Sequence, residues 1–309
     1  MSSNAAVIQA KSASATKREV RKAMVAYSFI APNFLGFAIF TLGPIILAFI
    51  MAFTEWDGSN PMKFIGIQNF ANLFGNDRFV AALKNTIVYS IFTVPLTLVA
   101  ALALAILLNQ KIKGTTFFRT VTFFPYVASL VAVAAVWNML FTPNKGGLMN
   151  QLLMKVGLEP LKWAAAPNTV MFTIILFSIW KNMGYYMVIY LAGLQGISED
   201  LYEAASLDGA NGWQKFWYVT LPQLKPTTFF VTVMLTISCF KIYDIVYMLA
   251  GGSNGVVNKS AIVLVYYIYE EAFRNWKLGS ASAGALVLFA IVLIITLIQF
   301  RGEKNYAND

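Results

Sequence analysis

Six stretches of this chain are each long and apolar enough to cross a bilayer, and they limit the fold more tightly than any other feature. They cover residues 24–53, 86–108, 121–141, 170–194, 227–249 and 280–300, and a spanning helix needs about 20 residues. Inside hydrocarbon every backbone amide and carbonyl must be paired within the protein, so such stretches fold as helices. A soluble bundle would need a charged face on each helix, and these stretches lack one. Composition agrees: 58% of the 309 residues are hydrophobic and 12% are charged, against about 45–50% and about 25% in soluble domains. The expected fold is all-α and integral to the membrane, with six transmembrane helices. Pro32, Gly43 and Pro44 predict a kink or interruption in the first span, and Pro95 and Pro125 predict bends in the second and third.

Charge sets the expected orientation. Lys11, Lys17, Arg18, Arg21 and Lys22 precede the first span, which places the N-terminus in the cytoplasm. Six crossings return the C-terminus to the same side. Inside segments then carry 12 Lys and Arg and outside loops carry 9, with the N-terminal flank and the short second inside loop holding most of the bias. The first stretch is too long for a cleaved signal peptide and has no small-residue cleavage site. The chain thus divides into a basic cytoplasmic tail (1–22), a first span with its external loop (23–84), a transmembrane core (85–300) and a cytoplasmic tail (301–309). Within 250–279, the run from Tyr266 to Phe273 reads as a short interfacial helix or part of the last span, with an aromatic belt ending at Trp276.

Two absences exclude chemistry. There is no histidine, so His-based triads, His-ligated metals and His proton relays are ruled out. Cys239 is the single cysteine, so no intrachain disulfide can form. Nor is there a G-x-x-x-x-G-K-[ST] phosphate loop; the nearest string, Gly255 to Ser260, lacks the glycine before its lysine. The net charge of +9 includes membrane-embedded and external cations and offers no case for nucleic acid.

The third inside loop, 198–226, departs from an ordinary connection. Ser198 suits an N-cap and Glu199 and Asp200 the positive end of a helix dipole. Leu201 to Leu207 are good helix formers, and Gly209 permits a left-handed reversal. A second short helix over 212–219 should end before Pro222 and Pro226. The product is a two-helix elbow, with Trp213, Phe216 and Trp217 placed to pack beneath it. Small residues let its backbone approach a partner closely, as in helix-in-groove recognition.

The string EAASLDGANGWQKFWYVTLP resembles the EAA loop of permease subunits from bacterial binding-protein-dependent ABC importers. The matching positions are Glu203, Ala204, Ala205, Gly209, Val219, Leu221 and Pro222, and Asp208 and Ala210 extend them to the Asp-Gly-Ala form of carbohydrate importers. Residues 64–86 and 240–252 are similar to the external loop and fifth span of the maltose-type, compact six-span subfamily. The resemblance implies a type I permease fold in a bacterial inner membrane. It also implies an ATPase-coupling role for Glu203, Ala204, Ala205, Asp208, Gly209, Leu221 and Pro222. The implied partners are two cytosolic ATPase subunits that bind ATP and Mg, a second and different permease subunit, an extracytoplasmic solute-binding protein, and membrane lipid. The chain itself would need no cofactor and would not be an enzyme.

The expected substrate path lies between the fourth and fifth spans. Lys181, Lys241 and Asp244 are intramembrane charges, each a functional candidate. Lys241 and Asp244, three apart on one helix face, can pair. Asn182, Tyr185, Tyr186, Tyr190, Tyr243 and Tyr247 surround them with the planar polar and aromatic groups that hold sugars. By resemblance, the path residues are Asn182, Tyr185, Tyr186, Lys241, Tyr243 and Asp244. An ion-coupled secondary transporter using Lys241 and Asp244 is the competing reading, and it leaves the elbow unexplained.

Overall fold

The computed structural model describes residue 19 and residues 22–110, 113–250 and 259–306. Lys11, Lys17, Arg18, Arg21 and Lys111, the side chain of Lys304, the end of the 240–252 segment, most of the string at 255–260 and the chain past 306 lie outside the described residues.

Among the described residues, four helices are long and apolar enough to span a membrane: α1 (Lys22–Met51), α3 (Asp77–Asn109), α7 (Val170–Gln195) and α13 (Leu278–Tyr306). Two bent pairs bring the number to six when each counts as one span. One is α4 (Thr115–Val127) with α5 (Leu130–Leu140), bent by 100°; the other is α10 (Lys225–Phe240) with α11 (Asp244–Ala250), bent by 51°. The third and fifth spans are therefore broken rather than merely curved.

The prolines act unevenly. α3 runs unbroken through Pro95. Pro125 lies near the α4–α5 break, which falls at Ala128 and Ser129 with extended backbone. Pro44 is absorbed in a different way. The preceding residues Ala38–Leu42 form a π-turn, with Gly43 N–H donating to Ala38 O. The same device precedes Pro222, where Phe216–Thr220 form a π-turn and Leu221 N–H donates to Phe216 O. In both places a wider turn precedes a proline that has no N–H to donate.

The core is the pairing of α3 with α7. Small or hydroxylated side chains on α3 (Ala82, Thr86, Thr93, Thr97, Ala101, Ala105) are fully buried, which lets the helices approach closely. Thr86 and Ser90 donate to the carbonyls four residues back, so these two hydroxyls enter the bundle already satisfied, whereas the buried hydroxyls of Thr93 and Thr97 find no partner among the described residues. α1 contributes no buried side chain; it touches α13 over Gly43–Met51, and the rest of its apolar surface is open.

At the end away from the loop 198–226, strands β1 (Thr54–Glu55) and β2 (Lys63–Phe64) form a small antiparallel hairpin. It packs with α2 (Gln68–Phe74), α6 (Leu148–Lys155) covers another part of this end, and α12 (Leu264–Phe273) lies across α3 and α13. α12 is a separate helix whose Tyr266 and Tyr267 are buried. This corrects the belt reading for those two residues: they pack against protein. Asn150 organises the loop before α7. Its amide nitrogen lies within 3.2 Å of the carbonyls of Thr142, Asn144 and Leu161, and its oxygen accepts from Leu161 N–H and Trp163 Nε1.

Candidate functional site: a cavity at two helix breaks and an elbow

Where α10 ends at Phe240 the backbone unwinds through Lys241, Ile242 and Tyr243, and α11 resumes at Asp244. Irregular backbone at membrane depth is tolerated where it lines a cavity or is buried in protein. A cavity of about 260 Å³ lies at this break. Tyr89 reaches it from α3, Tyr126 from α4, Lys181, Asn182 and Tyr186 from α7, and Ser238 and Cys239 from α10. Lys241, Tyr243 and Asp244 line it from the break itself. Five of the six predicted path residues therefore converge. The sixth, Tyr185, stands just behind, stacked on Tyr126 with ring centroids 4.4 Å apart and planes 15° from parallel. Tyr190 is buried in the core away from the cavity.

The expected Lys241–Asp244 pairing does not form. The two residues do not share a helix, because the break falls between them, and no ion pair joins them among the described residues. Both are exposed to the cavity side. Lys181 also has a different part from the one expected. The α4–α5 break strands the carbonyls of Pro125 and Tyr126, and the Lys181 ammonium donates to both, at 2.9 and 3.3 Å. A cation at a helix C-terminus also meets the negative end of the helix dipole. Lys181 thus caps α4 and holds Tyr126 in the cavity wall. Gly184, one turn along, makes this contact possible. A Cβ placed on it would stand 2.0 Å from Thr122 O, so α4 and α7 touch backbone to backbone.

Sequence reasoning missed Tyr89, Tyr126 and Ser238. Tyr126 follows Pro125, and a polar ring beside a break-prone proline was the available signal. Tyr89 had none, since it sits mid-helix among other aromatic and hydroxylated residues.

The elbow follows its expected plan in its first arm. α8 (Glu199–Leu207) starts at Ser198, whose hydroxyl accepts from Asp200 N–H at 3.3 Å. Gly209 adopts φ +78°, and Ala210 N–H reaches back to Ala205 O at 2.9 Å, closing the helix end. The second arm opens with a capping box between Asn211 and Gln214 on α9 (Gly212–Lys215). It then continues through the π-turn and Leu221–Gln223 rather than stopping before Pro222. Lys215 Nζ donates to Ser206 Oγ at 2.6 Å, and the hydroxyls of Tyr202 and Thr220 bond at 2.9 Å. These cross-ties fix the angle between the arms. Of the three aromatics expected to pack beneath, Phe216 is half-buried against the rings of Trp213 and Trp217, but Trp213 and Trp217 are themselves exposed, as are Tyr218 and, at 90%, Leu207 at the tip. Glu203, Ala204 and Asp208 are exposed with it, while Ala205, Leu221 and Pro222 are half-buried.

A family model described as a binding-protein-dependent transport system inner membrane component matches residues 87–305, which include both the cavity and the elbow. The chain belongs to this family. The permease is 38% identical over 295 residues to the probable ABC transporter permease protein YesP of Bacillus subtilis, covering 94% of each chain. It is 34% identical over 284 residues to the arabinooligosaccharides transport system permease protein AraP of the same organism, covering 92% of this chain and 90% of that one. Its fold superposes with a TM-score of 0.83 on a chain of a bacterial ABC transporter involved in the import of the acidic polysaccharide alginate. That match is at 25% identity and covers 94% of this chain and 98% of the other. The fold is that of a type I ABC importer permease, and the chain is a transport component rather than an enzyme. No observation favours the ion-coupled reading.

Proposed function

We propose that this permease carries a saccharide across the bacterial inner membrane, with its termini in the cytoplasm, and that its elbow takes up the stroke of a cytosolic ATPase. The observation that carries this is the elbow itself. A capped, cross-tied turn presents Leu207 almost fully exposed, flanked by exposed aromatic residues. A bare apolar tip on a rigid mount is costly in water and suits insertion into a partner's groove. Glu203, Ala204, Ala205, Asp208 and Gly209 form the inserted arm. Leu221 and Pro222 join that arm to α10, so a push on the elbow is delivered to the helix that ends at the cavity.

Two ATPase subunits binding ATP and Mg, a second permease subunit and an extracytoplasmic solute-binding protein complete the assembly in this reading. The open apolar length of α1 supports a protein or lipid neighbour there. The saccharide is supported by a cavity of tyrosines, an amide and isolated charges at Asn182, Tyr186, Lys241, Tyr243 and Asp244, and by the arabino-oligosaccharide and alginate systems among the relatives. The test is co-purification of the assembled importer from membranes. Glu203→Lys and Gly209→Pro should insert at wild-type levels but fail to retain the ATPase and lose uptake. Normal ATPase retention and uptake in both variants would sink the coupling role.

A further inference from the structure

Tyr266, Tyr269 and Phe273 occupy positions i, i+3 and i+7 of α12, which places them on one face of the helix. Tyr243, at the cavity wall, meets Tyr269 at a ring-centroid distance of 5.0 Å, and Tyr269 meets Phe273 at 5.2 Å. Tyr247 stacks on Tyr243 at 5.6 Å. The rings therefore form one connected run from the cavity to the outer end of α12, where Phe273 is 64% exposed. α12 is held in register by a buried carboxylate: Glu270 bonds Arg78 at the start of α3 and Arg274 beyond its own end. The run is thus a fixed platform. Aromatic residues serving as interfacial anchors have no need to touch one another or to join a cavity wall.

We infer that Tyr269 and Phe273, continuing from Tyr243, form an outer saccharide subsite that receives the part of an oligosaccharide the cavity does not hold. The inference rests on the saccharide reading above. The part of the cavity that this chain lines, about 260 Å³, falls below the range of about 300–1,000 Å³ of ordinary small-molecule sites. A saccharide of several rings must project from it, and the polarised C–H face of a sugar ring is complementary to the electron-rich face of an aromatic ring. A single ring fits within the cavity and has no need of the platform.

The test is uptake by cells expressing the complete importer, using labelled arabino-, gluco-, galacto-, xylo- and uronic-acid saccharides of one to five rings. Within the series transported by wild type, Tyr269→Ala and Phe273→Ala should each lower uptake of saccharides of three or more rings by about three- to tenfold relative to the shortest member. Tyr269→Phe should retain wild-type length dependence, because the ring remains. Equal uptake by wild type and both alanine variants at every length would overturn the subsite while leaving the saccharide reading intact. An equal fall at every length, matched by less importer in the membrane, would also overturn it, since the rings would then serve folding only. Uptake of no saccharide by wild type would overturn both.

Discussion

Replacing Lys181 with methionine separates two roles that an intramembrane lysine can have. The structure gives its ammonium two acceptors, Pro125 O at 2.9 Å and Tyr126 O at 3.3 Å. Both carbonyls belong to the last turn of α4, where the chain bends by 100° and the helix supplies no further amides. A hydrogen bond to a charged group contributes about 1.5–3 kcal/mol. The shorter contact has full strength; the longer one is weaker and Lys181 is half-buried, so about 2–3 kcal/mol is lost in total. At about 2–4 °C of melting midpoint for each kcal/mol, the expected fall is about 4–12 °C. The assay is the thermal midpoint of the purified permease in nanodiscs, read by size-exclusion of the surviving fraction. Lys241→Met is the control: Lys241 is exposed at the cavity without a hydrogen-bond partner for its ammonium among the described residues, so the midpoint should hold while uptake falls. A Lys181→Met protein that melts with wild type yet transports nothing would refute the capping role and make Lys181 a substrate ligand.

Three further outcomes follow from close packing and buried polar groups. Gly184→Ala brings a methyl against Thr122 O, where a Cβ would stand at 2.0 Å; overpacking of this kind costs about 1–3 kcal/mol, and the variant should show a lower thermal midpoint. Gly279→Ala meets Thr54 O at the same 2.0 Å and should loosen the β-hairpin, read as faster proteolysis of the 54–64 segment. Asn150→Leu strands the carbonyls and the Trp163 indole N–H that Asn150 now satisfies. At about 1–3 kcal/mol for each buried group left unpaired, it should reduce the amount of folded permease recovered from membranes well below that of Gln151→Leu, whose side chain is exposed.

Much of the fold was legible because hydrocarbon imposes so few solutions. Apolar runs of sufficient length mark helices almost regardless of detail: four of the six expected spans appear as single helices where the runs are, and the other two runs appear as bent helix pairs. Their interiors were less legible. Pro95 and Pro125 look alike in sequence, yet one sits in an intact helix and the other near a 100° break. The difference is a tertiary partner: Lys181 waits opposite Pro125 to take the freed carbonyls. The fifth-span break carries no proline at all, which is why Lys241 and Asp244 read as helical neighbours able to pair. At the elbow, Ser198 and Gly209 announced the cap and the reversal through local rules. The π-turn before Pro222 was invisible for the opposite reason, since the usual rule for proline is to end a helix. The tyrosines of α12 fit a belt by composition, which does not say whether a tyrosine faces lipid or another tyrosine.

The most direct measurement of the central claim uses the one native thiol to advantage. Cys239 is 3% exposed, so a cysteine introduced by Leu207→Cys at the elbow tip can be labelled selectively with a maleimide photo-crosslinker in the assembled importer. The expected result is a crosslink from position 207 to the ATPase subunit, together with loss of ATP-driven uptake in the labelled complex. Absence of that crosslink, with uptake by the labelled importer equal to wild type, would contradict transmission of the ATPase stroke through the elbow.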